Sequence, residues 1–194
     1  MSLPFIETFK GMITSPGETI QKSSSGTLTD SIIYFLIVIF VYSILTAVIT
    51  YLLGASHPMP LKPINDIMGM IEFIIGFVIL WTIILIIFAT IIHICTKILG
   101  GKGDYGASIR AYALAQSPTA VIGWIPFINL LAVIWIFILM VMGIRDYHGI
   151  STIRAVIAVL LPVIVIIILA VLGLMFFMID PTSVTVTEIP SVTF

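Results

Sequence analysis

The chain has 194 residues, of which 60% are apolar and only 9% are charged, with a net charge of −1 at pH 7. Soluble domains carry about 25% charged residues, so this composition indicates a membrane protein and excludes a cytosolic enzyme with a separate catalytic domain. The near-neutral charge argues against a nucleic-acid binder, which would carry a basic surface. A single cysteine, Cys95, excludes an intrachain disulfide framework.

The first 30 residues are expected to form a cytoplasmic leader. Apolar residues recur there on one face of a helix, at Phe5, Ile6, Phe9, Met12 and Ile13. Such an amphipathic helix either lies in the headgroup region of the membrane or packs against the ends of the spanning helices, and both alternatives stay open. The first long apolar run is too long for the core of a signal peptide, so it is expected to remain as an anchor.

Four apolar stretches have the length that a membrane-crossing helix needs. They cover residues 31–53, 67–95, 126–144 and 155–179. Pro162 lies in the second turn of the last stretch, where it is expected to kink the helix. Residues 180–194 alternate valine and threonine, and we expect this external tail to be disordered because a lone strand is not stable.

Residues 108–125 form a more polar stretch that is either a fifth crossing or an interfacial or re-entrant helix. Charge favours the crossing, because loops on the cytoplasmic side collect lysine and arginine. Five crossings with the N-terminus inside place seven of the eight basic residues on the inner side, whereas four crossings leave only five there. The sequence therefore predicts an all-α membrane bundle of five helices over residues 31–179, with an inner N-terminus and an outer C-terminus.

A stripe of small residues would allow this polar stretch to cross the membrane. A small residue stands at every fourth position: Ala107, Ala111, Ala115, Thr119 and Gly123. Small residues let helices approach closely in lipid, so this face is expected to pack against other helices that shield the stretch. The short link from Gly123 to Pro126 predicts a tight hairpin between the third and fourth spans.

Polar side chains at membrane depth are candidates for function. They are Glu72, His93, Arg110 and Gln116. Each also has a structural interpretation. Glu72 suits a helix N-terminus at the outer interface, and His93 marks the inner interface. Arg110 is long enough to reach the inner headgroups, and Gln116 is expected to form a hydrogen bond across helices.

Catalytic signatures are missing from the sequence. It contains no His-Glu-x-x-His helix, no Gly-x-Ser-x-Gly elbow and no phosphate-binding loop. His57 is expected on the outer side of the membrane and His93 and His148 on the inner side, so the three are not expected to form one ligand cluster. We therefore predict no catalytic residue, no metal site and no cofactor, and we expect the chain not to be an enzyme.

From Gly100 onward, several landmarks follow in a distinctive order. GGKGDYGASIRAYALAQSP opens the polar stretch, GWIP forms the hairpin, and an apolar run leads into MGIRDYHGISTIRAVIAVLLP. Together with the leader FKGMITSPGETI, this order resembles the Ypt-interacting-protein (Yip) domain family of polytopic membrane proteins, in a short prokaryotic-type form. The resemblance implies a five-helix bundle with a cytoplasmic N-terminus.

The resemblance also implies partners. Eukaryotic relatives engage prenylated small GTPases in vesicle traffic and form hetero-oligomers. This chain has 30 residues before its first span and lacks their long cytosolic region, so we do not expect a small GTPase as its partner. The short prokaryotic-type members are instead expected to be accessory proteins of other membrane machinery.

The two inner loops are the expected place of function. They supply the candidate docking residues Lys97, Lys102, Asp104, Tyr105, Arg145, Asp146, Tyr147, His148 and Arg154. The alternative explanation for their basic residues is attraction to anionic lipid, worth about 1 kcal/mol per residue near the surface.

Two functional hypotheses follow for an integral, multi-pass membrane protein, which would reside in the plasma membrane if its source is a prokaryote. The first is a non-enzymatic scaffold or adaptor that binds other membrane proteins, or further copies of itself, through the small-residue face and the inner loops. It would act in membrane trafficking or as an accessory of transport machinery. The alternative is a small-solute or ion transporter or channel, with a polar path between the second and third spans formed by Glu72, Arg110 and Gln116.

Overall fold

The computed structural model of the chain describes residues 4–53, 64 and 66–178, with side chains as far as residue 176. Helices dominate this part of the chain. They are α1 (Phe5–Thr14), α2 (Pro16–Lys22), α3 (Leu28–Leu53), α4 (Ile67–Ile98), α5 (Tyr105–Ala115), α6 (Asn129–His148) and α7 (Thr152–Met178). No strand occurs among the described residues, which agrees with the predicted all-α class. The expected disorder of residues 180–194 lies outside the described residues.

Four helices, α3, α4, α6 and α7, are long and apolar enough to cross a membrane. They coincide with the four apolar stretches of the sequence, although three of them begin elsewhere, α7 at Thr152 and not at residue 155. α3 begins at Leu28, not at residue 31, because Thr27 and Asp30 cap it reciprocally. The Asp30 N–H donates to Thr27 Oγ1 (3.1 Å), and the Thr27 N–H donates to Asp30 Oδ2 (3.2 Å). α6 begins at Asn129, not at residue 126, because Phe127 adopts a left-handed φ of 66° that a helix does not contain.

The polar stretch forms α5 and a π-helical turn at Thr119–Gly123, not the single helix over residues 108–125 that the sequence predicts. Pro118 explains the interruption, because it has no backbone N–H to continue the helical ladder. All residues from 107 to 119 are buried. Other parts of the chain therefore cover this segment of the polar stretch.

α5 and α6 form an antiparallel hairpin. Near the start of α5, Ser108 lies beside His148 at the end of α6. One turn further, Ala111 lies beside Gly143, and a Cβ built on this glycine would be 3.0 Å from the Cβ of Ala111. The chain reverses between the π-helical turn and Asn129, as expected from the short link.

α3 runs parallel to α5 on another side. The segment just before α3 contacts Arg110 through the carbonyl oxygen of Gly26. Further along, the Tyr34 and Ser117 hydroxyls are 2.6 Å apart. Because Ser117 Oγ donates to the Leu114 carbonyl oxygen (2.6 Å), Tyr34 is the donor in this pair. α5 is therefore held against α3 as well as against α6.

The leader packs on the bundle. The Phe5 ring centroid lies 5.3 Å from that of Tyr34 in α3, and Met12 has no exposed surface. α2 approaches α6, where a Cβ on Gly17 would lie 3.6 Å from Met142 Cε. The predicted leader helix thus exists as α1, and its contacts favour the alternative in which it packs against the spanning helices.

α7 contains Pro162, which cannot donate to the helical ladder. The described residues up to Pro162 belong to one compact unit, and those from Val163 onward belong to a second. The second unit includes the end of α7, whose side chains from Val163 to Phe176 are aliphatic or aromatic apart from one alanine and one glycine. That composition suits a helix surrounded by lipid.

Candidate functional site

Five polar side chains meet where α4 and α6 end and α5 begins. We call them the histidine cluster: Thr90, His93, Tyr105, Ser108 and His148. The Ser108 hydroxyl bridges the two imidazoles, with Oγ 2.9 Å from His93 Nδ1 and 2.9 Å from His148 Nε2. The Thr90 and Tyr105 hydroxyls are 2.9 Å apart, and the Tyr105 ring meets His93 edge to face. The cluster therefore ties three helices together at one end, which we call the histidine end.

A glycine-rich loop closes over the histidine end. The Lys102 N–H donates to the His148 carbonyl oxygen (2.9 Å), so the loop follows the end of α6. Side chains do not fit at Gly101 and Gly103 of this loop. A Cβ on Gly101 would lie 2.6 Å from Thr96 Cγ2, and one on Gly103 would lie 2.6 Å from the Tyr147 carbonyl oxygen. The sequence GGKG thus reflects close packing in this loop.

Asp104 connects the loop to α5. Its Oδ1 accepts a hydrogen bond from the Ala107 N–H (2.8 Å), as an N-cap carboxylate does. The cap fixes where α5 begins, and Ser108 lies in the first turn that follows. The loop and the cap together place the Ser108 hydroxyl between the two histidines.

Arg110, two residues after Ser108 on α5, anchors the leader. Its Nη1 donates to the Ser24 carbonyl oxygen (2.8 Å), and its Nη2 donates to the carbonyl oxygen of Gly26. The guanidinium carbon lies 5.3 Å from the centroid of the Tyr147 ring, within cation–π range. Only 8% of Arg110 is exposed. We call Arg110, Ser24, Gly26 and Tyr147 the arginine anchor.

The other polar candidates lie apart from this end. Glu72 is exposed near the start of α4, 21 residues before His93, which corresponds to about 31 Å along a helix. Gln116 is 3% exposed and follows the last residue of α5. The structure therefore does not bring Glu72 and Arg110 into contact.

The candidate docking residues divide by exposure. Lys97, Lys102, Asp104, Tyr105 and Arg154 are exposed at the histidine end. Arg145 and Asp146 are half-buried and paired, with Arg145 Nε 2.5 Å from Asp146 Oδ1. Tyr147 is half-buried beneath Arg110, and His148 is 1% exposed because the glycine-rich loop covers it. His148 therefore offers no side-chain surface to a partner.

The small-residue face is used inside the chain. Ala107, Ala111, Ala115, Thr119 and Gly123 are all buried, the alanines at 5% exposure or less. Gly143 of α6 covers Ala111, and Tyr42 of α3 reaches within 3.5 Å of a Cβ built on Gly123. The chain's own helices occupy this face, so no partner can bind there in this conformation.

Sequence reasoning missed the pairing of His93 with His148, whose ring centroids are 5.7 Å apart. Both residues were placed on the inner side, but His148 was assigned to a loop surface. The available signal was the glycine-rich loop itself, because glycines at closely packed positions indicate a buried neighbour. Among the described residues, no group of three histidine, cysteine, aspartate or glutamate side chains is placed to hold a metal ion.

Comparisons with known proteins identify the family. The Yip1 domain model matches residues 10–175, which is most of the chain. No curated protein and no solved structure matches the chain. The match spans every helix of the bundle from α2 to α6 and nearly all of α7. The chain is therefore a member of the Yip1 domain family, with apolar helices that fit a membrane protein of the Yip type.

Proposed function

We propose that the chain is a non-enzymatic membrane adaptor that binds other membrane proteins through the exposed loop residues at the histidine end. The observation that carries this proposal is the fixed geometry of that end. The histidine cluster joins α4, α5 and α6, and the histidine end presents Lys97 of α4 and Lys102 and Asp104 of the loop to solvent. A pre-organised surface loses little conformational entropy when a partner binds.

The burial of Ser108 supports a non-enzymatic role. A serine hydroxyl beside an imidazole is the usual pair of nucleophile and general base. Ser108 is 1% exposed, however, and both of its neighbours are histidines from packed helices. A substrate has no access to this hydroxyl in the described conformation, so the pair is suited to holding helices together.

The proposal includes a topology of five crossings with the histidine end inside. Residues 105–123 follow a helical path of about 28 Å, close to the thickness of the hydrocarbon core of about 30 Å. They also lie antiparallel to α6, which is itself long enough to cross. A helix paired along a crossing helix has to traverse the same depth. An inner N-terminus and an outer C-terminus follow from this count.

The docking surface can be tested by charge reversal. We expect Lys97→Glu/Lys102→Glu to lower photo-cross-linking from Tyr105 to neighbouring membrane proteins about tenfold. The acidic groups of a partner that binds the two lysines would then face glutamates, and like charges across an interface are unfavourable. The measurement is the yield of protein cross-links from a photoreactive amino acid at Tyr105 in native membranes. Tyr105 is 37% exposed, so the probe can reach a partner.

Lys10→Glu/Lys22→Glu is the matched control for this experiment. It changes the net charge by the same amount, and both lysines are exposed on the leader. The proposal is contradicted if the two double variants give equal yields, or if Tyr105 cross-links only to lipid in the unsubstituted protein.

A further inference from the structure

The bridge through Ser108 has a direction, because a hydroxyl carries one hydrogen. Ser108 Oγ lies 2.9 Å from a ring nitrogen on either side. It can donate its hydrogen to one histidine and accept from the other. Which histidine donates depends on where each imidazole carries its own proton.

Gly103 determines the tautomer of His148. The second ring nitrogen of His148, Nδ1, is buried and has no hydrogen-bond partner among the described residues. A Cβ on Gly103 would lie 2.8 Å from this nitrogen, so the Gly103 Cα faces it closely. An N–H at Nδ1 would point at carbon and remain an unpaired buried donor, which is costly. His148 therefore carries its proton on Nε2 and donates it to Ser108.

The tautomer of His148 determines the direction of the hydrogen bond between Ser108 and His93. Ser108 accepts from His148 Nε2 and therefore donates its own hydrogen to His93 Nδ1. His93 is then neutral, with its proton on Nε2. We propose that His148, Ser108 and His93 form a directional hydrogen-bond relay across three helices, and that His93 is the member at which the relay responds to acid.

His93 is the member that can accept a further proton. It is half-buried, and its Nδ1 accepts a hydrogen bond from the Ser108 hydroxyl. This hydroxyl can rotate away and leave Nδ1 free to take a proton. The only nitrogen of His148 with a lone pair is Nδ1, and Gly103 covers it. The groups facing His93 are Lys97 on its own helix, Asp104 in the loop, Tyr105 and Ser108 on α5, and His148 on α6. When His93 accepts a proton, Nδ1 becomes a donor and Ser108 has to turn its hydrogen to a backbone carbonyl, as helical serines do. Both histidines are then donors to Ser108, so the hydrogen bonds no longer run in one direction from His148 to His93.

Selective ¹⁵N-histidine labelling in nanodiscs tests the relay. His57→Asn leaves His93 and His148 as the two labelled residues. At neutral pH we expect both to show protonated Nε2 and unprotonated Nδ1. On acidification we expect His93 to change to the imidazolium form while His148 keeps its neutral tautomer. A proton on His148 Nδ1 at neutral pH, or titration of His148 before His93, would overturn the proposal.

Two variants separate the roles of Ser108 and Gly103. Ser108→Ala removes the donor to His93, so we expect His93 to populate both neutral tautomers. His148 should keep its proton on Nε2, because Gly103 still covers Nδ1. Thr90→Val is the matched control, since it removes a hydroxyl from the same cluster but leaves the relay intact. An unchanged His93 in Ser108→Ala, or a changed His93 in Thr90→Val, would contradict the assigned direction.

Discussion

Gly143→Leu is expected to destabilise the protein by about 3 kcal/mol, at the upper end of what overpacking of a core costs. The α5–α6 hairpin leaves no room at this position, since even a Cβ would lie 3.0 Å from the Cβ of Ala111 and 3.2 Å from its Cα. Backbone atoms cannot move aside as a flexible side chain would. The two helices have to separate, and the histidine cluster at the end of the hairpin should loosen with them. Thermal unfolding in detergent measures the change.

Gly173→Leu is the control for this prediction. Gly173 also lies within a helix, but a Cβ on it meets nothing within 4 Å. We expect its melting temperature to stay close to that of the unsubstituted protein. Equal destabilisation by the two substitutions would contradict the close packing of α5 on α6.

Arg110→Met is expected to release the leader from the bundle. The substitution removes two hydrogen bonds from a charged donor to the carbonyl oxygens of Ser24 and Gly26. Such bonds contribute about 1.5–3 kcal/mol each, so local opening of the leader should become about 100-fold more frequent or more. The substitution also removes the cation–π contact with Tyr147. Hydrogen exchange of the amides between α2 and α3 measures the opening.

Arg154→Met provides the matched control for the arginine anchor. Arg154 also donates to a backbone carbonyl oxygen, that of Leu99, but over 3.3 Å and at an exposed position. Its loss should leave exchange of the leader unchanged. The account of the anchor is wrong if Arg110→Met leaves the leader as protected as Arg154→Met does.

The long apolar helices could be predicted from composition, because lipid imposes a minimum length on each crossing. The burial of the polar stretch could also be predicted, since residues such as Ala111 and Ala115 have no other reason to recur at helical spacing. Helix ends were predicted less well. The reciprocal cap of Thr27 and Asp30 and the left-handed Phe127 depend on local hydrogen bonds and backbone angles that apolar periodicity does not report.

The histidine cluster could not be derived from spacing along the chain. His93, Ser108 and His148 come from three helices, and they meet because the α5–α6 hairpin has a particular register. That register depends on the close approach at Gly143, which is a tertiary contact. The same contact explains why helices of the same chain cover the small-residue face. Of the two docking surfaces that the sequence predicts, only the exposed loop residues remain available to a partner.

We propose that residues 105–123, which are buried from 107 to 119, cross the membrane. Single cysteines at Lys102, Phe127 and Ser151 test it in a Cys95→Ser background, because all three positions are exposed and Phe127 is 95% exposed. Gly101 in the same loop is unsuitable for a cysteine, because a side chain does not fit there. In intact cells, we predict that an impermeant thiol reagent modifies Phe127→Cys and leaves Lys102→Cys and Ser151→Cys unmodified. Modification of Ser151→Cys with protection of Phe127→Cys would show that the stretch does not cross.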